Sequence, residues 1–417
     1  MKTRLCLALW LVSTAAAADW PGLPPDETVR RMFDERPETR AAASELAVGS
    51  AQRERLIAGP YEWTLRLGGQ QRRSAPPEAE RQRFGEWNSA LERSFRLPGK
   101  AGLDGELGDA TLARARSAYG DNQHEARRQL LLDWFAWRAE TAAWRQALAA
   151  RDSFTGQLAI VERRLALGDA SRLELTLAQA AHAQSEAQAQ LLGAEAARQR
   201  EQLARRYPGL PLVDDEALPV PQALPGDDEK WVATLVDRSH ELALAQGERR
   251  IAELGAARQR AERLPDPALG VAFSRERGGE EQVLGAFISI PLPGGARRAG
   301  ERAAAASADA ANQRLLAVRR EVELAAVNQL RRARAALLAW EAAEHAARRQ
   351  GAAADMAQRA YRLGEGSLSD LLLARRQAGE AAQQAARLQA DALHQAYRVR
   401  LDAEQLWADE APAETAG

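Results

Sequence analysis

Apolar residues recur at spacings of three and four along two long stretches of the chain. In the first, Leu130, Trp134, Trp137, Thr141, Trp144 and Leu148 alternate steps of four and three. In the second, Leu315, Val318, Val322 and Ala325 do the same. After a shift of register Val327, Leu330, Ala333, Leu337 and Trp340 continue that stripe, three or four apart. Such spacing lays one apolar seam along a helix, and the seam must pack against another helix. The predicted helices are very long, roughly 103–167 and 296–363. About 65 residues at 1.5 Å each give a helix on the order of 100 Å. Shorter helices are predicted over 26–57 and 228–263, and returning helices run to 206 and to 407. A short helix and a returning helix together nearly equal one long helix, so they can stack end to end beside it as a hairpin.

A second period, of two, occupies four short stretches: 61–68, 85–97, 268–275 and 282–292. In the first, Tyr61, Trp63, Leu65 and Leu67 alternate with Glu62, Thr64 and Arg66. In the second, Trp87, Leu91, Phe95 and Leu97 share a face, and Arg93 falls on it too. Leu269, Val271 and Phe273 alternate with Gly270, Ala272 and Ser274, and Leu284, Ala286, Ile288 and Ile290 share a face of the last strand. The fold class is therefore mainly α with a small β part.

The two sets of elements are copies of one plan. Leu97-Pro98-Gly99-Lys100-Ala101 returns as Leu292-Pro293-Gly294-Gly295-Ala296, 195 positions later. Leu167-Gly168-Asp169-Ala170-Ser171 returns as Leu363-Gly364-Glu365-Gly366-Ser367, 196 positions later. Two phrases in one order at nearly one offset indicate a duplication. The Leu-Pro-Gly phrase is expected to end the second strand of each copy. Between the copies stand Pro208, Pro211, Pro219, Pro221 and Pro225, a density that excludes helix and predicts an extended connector. The organisation is a leader over 1–18, a first repeat over 19–206, a connector over 207–228, a second repeat over 229–408 and a tail over 409–417.

The leader reads as a secretory signal: Lys2 and Arg4, an apolar run from Leu5 to Val12, and Ala16-Ala17-Ala18 before the expected cleavage. Its apolar run is too short to span a bilayer, and no later segment carries about 18 consecutive apolar residues. An exported chain of this kind can enter a membrane only as a closed β-barrel, because lipid cannot satisfy an open backbone. The alternation of Trp63, Leu65, Leu67, Trp87, Leu91, Phe273, Ile288 and Ile290 suits a lipid-facing side; a soluble sheet packed under helices would show equal alternation. Four strands cannot close a barrel that transmits anything, whereas three copies supply twelve.

Net charge is −1 across 417 residues, so no electrostatic drive towards nucleic acid exists. Basic residues are almost all arginine, with lysine only at positions 2, 100 and 230, which reads as genome composition. The only cysteine, Cys6, lies in the leader, so no disulfide, thiolate metal site or lipidation cysteine is expected beyond it. His124, His182, His240, His345 and His394 form no ligand pair at i, i+3 or i, i+4. No nucleophile elbow, phosphate loop or H-E-x-x-H occurs, so neither catalysis nor a cofactor is expected.

Helix, strand pair, Leu-Pro-Gly, long helix, Leu-Gly-acidic turn and returning helix, given twice from about Asp26 to Trp407, resemble the TolC-like outer-membrane efflux proteins. Leu97-Pro98-Gly99-Lys100, Leu264-Pro265-Asp266-Pro267 and Tyr361-Arg362-Leu363-Gly364-Glu365-Gly366-Ser367-Leu368-Ser369-Asp370-Leu371 look closest to the branch serving heavy-metal efflux. The resemblance implies a homotrimer, with a twelve-stranded barrel in outer-membrane lipid and a coiled-coil tunnel in the periplasm. Its partners would be a periplasmic adaptor and an inner-membrane pump of the resistance-nodulation-division type. Leu167, Gly168, Asp169, Ala170 and Ser171, with Leu363, Gly364, Glu365, Gly366 and Ser367, become the adaptor-facing tips. The three tip glycines suit positive-φ positions of a tight turn, and the two serines suit helix N-caps, which need no partner. Asp370 and its counterpart Glu174 become candidates for the tunnel aperture. Where relatives carry a second acid three residues on, Leu373 stands. The loop with Pro76 and Pro77 would face outside the cell. Two other functions fit the pattern: a soluble periplasmic coiled-coil scaffold, and an outer-membrane duct of type I protein secretion.

Overall fold

The computed structural model describes residues 20–74, 82–213 and 216–407. The leader, the loop with Pro76 and Pro77, and the tail lie outside the described residues. The element order is α1 (Asp26–Asp34), α2 (Pro37–Ala58), β1 (Trp63–Ser74), β2 (Gln82–Ser94), α3 (Lys100–Ala166) and α4 (Arg172–Arg206). Then the same order recurs as α5 (Asp228–Asp237), α6 (His240–Ala261), β3 (Ala268–Glu276), β4 (Glu281–Ser289), α7 (Gly295–Leu363) and α8 (Leu368–Asp402). A single turn of 3₁₀ helix, Arg277–Gly279, joins β3 to β4.

Several boundaries differ from the sequence expectation, each for a local reason. The helix expected over 26–57 is two helices, because Pro37 takes the first position of α2 and disfavours helical backbone at Arg36. The one expected over 228–263 breaks at Ser239, which caps α6 by accepting the Leu242 amide at 3.1 Å. Helix α8 stops at Asp402 instead of 407: Glu404 turns left-handed at φ 55° and the Gln405 amide closes on the Arg400 carbonyl at 2.8 Å. Strands β2 and β4 end at Ser94 and Ser289, so the Leu-Pro-Gly phrases lead into the long helices instead of ending strands. Proline has no N–H for a ladder, and pairing stops short of it. Strand β1 continues to Ser74, six residues beyond its expected end at 68.

Two compact units are present, and each draws on both copies of the repeat. One comprises Met1–Arg36, Glu125–Leu235 and Val327–Gly417; the other comprises Pro37–His124 and Val236–Ala326. In the first unit the core gathers Val29, Met32 and Phe33 of α1, Leu130, Trp134 and Trp137 of α3, Leu203 of α4, and Leu393, Tyr397 and Leu401 of α8. Leu130 and Leu131 are fully buried, each worth ~1.5–3 kcal/mol of apolar burial. The described residues of the proline-rich connector before α5 form neither helix nor strand, as its composition requires, and they pack on this core. Tyr207, Leu210 and Leu224 are buried, and Arg138 donates to the Glu216 carboxylate at 3.0 Å and to the carbonyls of Glu216 and Ala217. The first seam is buried at Leu130, Trp134, Trp137 and Thr141. In the second, Ala326 is buried and Ala325 exposed, so that stripe turns one residue later than its spacing implied.

The second unit holds one antiparallel sheet in the order β1-β2-β3-β4. Below it, Lys100 is buried at the start of α3, and its ammonium donates to the Leu264 carbonyl at 2.7 Å and Asp266 at 2.9 Å. Glu262 lies 3.2 Å away. Asp266 also accepts the Leu97 amide at 2.9 Å and the Tyr61 hydroxyl at 2.7 Å. Lysine at this position is therefore structural, not compositional: a compact ammonium with three donors fits three converging acceptors. Burial raises the Asp266 and Glu262 carboxyls, but hydrogen bonds from Lys100, Leu97, Tyr61 and Arg258 outweigh it and hold both below their ordinary values.

Candidate functional site

The register of the sheet decides which side chains share a face. Trp63 pairs with Arg93, Leu65 with Leu91, Leu67 with Ser89 and Gly69 with Trp87. Across the next ladder Arg93 meets Leu269, Leu91 meets Val271, Ser89 meets Phe273 and Trp87 meets Arg275. The last ladder adds Ile288, Ala286, Leu284 and Gln282 in the same rows. Side chains alternate along a strand, so these residues share one face, mostly apolar in its first three rows, with Arg93 in the first row and Arg275 and Gln282 in the last. It is exposed: Trp63 at 60%, Leu67 at 71% and Leu284 at 79%, with Leu65, Trp87, Leu91, Leu269, Val271 and Ile288 exposed as well. Phe273 is half-buried because its ring meets Trp87 at 5.4 Å. Ile290 is exposed one residue beyond the end of β4, outside the ladder. Leu269, Val271 and Leu284 are members of the face in full standing.

Trp63 marks one border of the apolar rows and Trp87 the other. Tryptophan rings thus stand at both borders of the apolar rows, where an apolar ring body and a polar N–H suit a boundary between apolar and wet surroundings. Arg93, the charge that fell on this face, sits in the border row with its guanidinium 5.6 Å from the Trp63 ring, and its Nε donates to the Tyr61 carbonyl at 2.8 Å. It thereby reaches off the apolar rows.

The opposite face is charged and internally paired. Arg66 meets Glu92 at 2.9 Å, and Arg72 bridges Glu86 at 3.0 Å and Glu276 at 2.9 Å. Gln70 donates to Glu86 at 2.8 Å, and the Arg277 amide donates to the same carboxylate at 3.2 Å. Glu86 is buried under these partners. Strands β1 and β4 are the edges of the sheet, and they have 12 and 9 residues, around the ~9–11 that cross a bilayer. Among the described residues no helix is long and apolar enough to cross a membrane.

The two Leu-Gly-acidic phrases form hairpin turns in the other unit. Gly168 has φ 79° and Gly364 φ 78°, and each closes its long helix. The Gly168 amide bonds to the Leu165 carbonyl at 2.9 Å and the Asp169 amide to Arg164 at 2.8 Å; Gly364 to Tyr361 and Glu365 to Ala360 repeat the pattern. Gly366, expected at positive φ, is not; a Cβ there would stand 3.1 Å from the Ala360 Cβ, so it is small for packing. Leu167 at 77% and Leu363 at 74% exposure project from the turns, and Ala170 is half-buried. Ser171 and Ser367 are the N-caps of α4 and α8.

Glu174 and Asp370 are engaged in this capping. Glu174 accepts the Ser171 amide at 2.8 Å in a full capping box, and Asp370 accepts the Ser367 hydroxyl at 2.6 Å. Arg164 ties the first turn to the second hairpin: Nε donates to Asp169 at 2.9 Å and Nη1 to the Tyr361 hydroxyl at 2.6 Å. Val161, Ala178, Tyr361, Leu368 and Leu371 form a small core between the hairpins. Above it lies a groove of about 420 Å³ between α3, α4 and α8, lined by Phe154, Leu177, Gln184, Leu372 and Arg375. The Arg164–Tyr361 contact was invisible to the repeat, which places Ala360 opposite Arg164.

One proximity has no sequence signal. His124 and His240, 116 positions apart, bring their ring centroids within 4.9 Å. Among the described residues no group of three or more histidines, cysteines or carboxylates gathers as a metal site.

No protein-family model and no curated protein matches the chain. Solved structures do. The outer-membrane channel OprN superposes with a TM-score of 0.77 at 20% identity, covering 92% of this chain and 90% of that one. The open state of the Neisseria gonorrhoeae outer-membrane channel MtrE gives 0.69 at 18% identity, over 93% and 90%. CusC, described for the conformational changes that accompany its folding and transmembrane channel formation, gives 0.67 at 16% identity, over 91% and 92%. At these identities the likeness establishes architecture: over nearly its whole length, the chain has the fold of outer-membrane channels.

Proposed function

We propose that this chain is one protomer of a homotrimeric outer-membrane duct of the TolC-like kind, a passive conduit and not an enzyme. The observation that carries the reading is the sheet: an exposed apolar face bordered by tryptophans, opposite a polar face of paired charges, in a fold shared with outer-membrane channels. Water on both sides would leave that apolar face a liability. In lipid it is the stabilising surface, and the two open sheet edges close when three copies join into twelve strands. The helices then form the periplasmic tunnel.

The hairpin turns are the adaptor-facing tips. Exposed Leu167 and Leu363, with the neighbouring groove, offer an apolar seat to a helical partner, and an inner-membrane pump of the resistance-nodulation-division type supplies the cargo. The sequence phrases that look like the heavy-metal branch make metal cations the first cargo to test. Asp370 and Glu174 are the aperture carboxylates, and Leu373 in place of a further acid makes their ring thin. The soluble-scaffold alternative requires protein over both sheet faces, and the exposed face argues against it.

Membrane fractionation, followed by gels of unheated and heated detergent extract, tests the reading. A heat-sensitive trimer confined to the outer membrane is expected. A monomer in the soluble periplasmic fraction would remove the duct.

A further inference from the structure

Beyond the Trp87 row, the apolar face of the sheet ends in arginine. Arg73 on β1 and Arg83 on β2 are direct cross-strand partners, and their parity places both on the face of Leu65 and Leu91. Like charges set directly opposite destabilise a ladder, and a counter-charge laid over the pair relieves it. Arg275 on β3 lies on the same face, in the row of Trp87, and its guanidinium reaches over Gly279 in the β3–β4 turn. All three side chains are exposed, and among the described residues none is paired with a carboxylate. The contrast with the opposite face is sharp, since there Arg66 and Arg72 are matched to glutamates.

Among the described residues the three arginines therefore border an apolar band without internal partners, at the end of the sheet where the β3–β4 turn lies. If the helices are periplasmic, that end is extracellular. The Arg73–Arg83 row stands four residues past the Trp87 row, about 14 Å along the strand. An amphiphile there would lay its acyl chains on Leu67, Phe273 and Leu284 and raise its headgroup to the arginines. Guanidinium is the side chain best shaped for bidentate hydrogen bonds to phosphate.

We propose that Arg73, Arg83 and Arg275 form a binding site for the phosphates of an anionic outer-leaflet lipid. The proposal rests on the duct reading. Its spread over two rows suits a headgroup carrying more than one phosphate, which makes diphosphoryl lipid A the probe.

Detergent-purified trimer is titrated with diphosphoryl lipid A and, separately, with phosphatidylethanolamine, and bound lipid is counted by native mass spectrometry. Lipid A is expected to bind the native trimer in preference. The triple change Arg73→Gln, Arg83→Gln, Arg275→Gln weakens it by roughly tenfold or more, the loss of several charge-assisted contacts. The corresponding triple lysine variant keeps the charge without the bidentate fork and binds between the native and glutamine trimers, and Arg93→Gln, at the opposite border, leaves binding unchanged. Should the triple glutamine variant not assemble, Arg275→Gln alone gives a smaller loss in the same direction. Equal lipid A binding by native and glutamine trimers overturns the proposal, as does displacement by equimolar inorganic phosphate, which would mark a free-anion site. A native trimer in the outer membrane that binds both lipids alike sinks the lipid site and leaves the duct; a soluble native protein sinks both.

Discussion

At the scale of single residues, burial sets the chemistry of His394. It is buried on α8 with its ring 6.1 Å from Phe135. Burial, partly offset by Asp391 and Asp402 and reinforced by Arg398, holds the imidazole neutral and pushes its pKa down to about 4. In the unfolded chain the value is ~6.5, so the unfolded state binds the proton first as pH falls. The contribution is fully present above about pH 6.5 and is lost as pH falls towards 4, ~3 kcal/mol at most. Thermal melts of the detergent-purified protein at pH 7.5 and 5 are expected to differ markedly for the native chain and much less for His394→Phe. An equal difference in both would mean His394 is not buried neutral. The sequence showed a histidine among helix formers and nothing more, because burial depends on which helix faces it. Lys100 makes the same point: its three acceptors come from Glu262, Leu264 and Asp266, more than 160 positions away.

Among the elements, the hairpin turns were the most legible. A Leu-Gly-acidic-x-Ser phrase between two helices encodes its own geometry: a left-handed glycine to close one helix and a hydroxyl to open the next. Gly168 and Gly364 hold that role, with open space around each absent Cβ. Gly168→Val and Gly364→Val thus meet backbone strain of ~1–2 kcal/mol each and no clash. A membrane trimer that still forms and no longer supports efflux is the expected phenotype. Normal efflux by both variants would remove the turns from the partner interface. Gly366 escaped the same logic, because its constraint is the Ala360 methyl on the preceding turn. Helix breaks at Pro37 and Ser239 were readable in principle from a proline and a capping serine, and were overridden by the continuity of helix-forming residues around them.

For the whole molecule, the decisive contrast is between adjacent residues of β4. Leu284 lies on the apolar face, opposite Phe273, and Val283 on the other, opposite Ser274. Both are exposed in the single chain, so a soluble protein would accept arginine at either. In a membrane barrel Leu284→Arg places a charge in lipid at a cost of ~2–4 kcal/mol, whereas Val283→Arg faces water. Loss of heat-sensitive trimer from the outer membrane is expected for Leu284→Arg alone. Equal recovery of the two variants would show that neither face meets lipid.

Local periodicity by itself determined the element types, their order and their duplication, since helix seams, strand alternation and turn phrases are written within a few residues of one another. Tertiary structure alone decided the strand order and register that turn four weak alternations into one apolar face with tryptophan borders and an arginine rim. It also decided the contact of Arg164 with Tyr361, the meeting of His124 and His240, and the acceptors around Lys100. Each of these joins residues far apart in the chain, and long-range pairing leaves no periodic trace in either partner's neighbourhood.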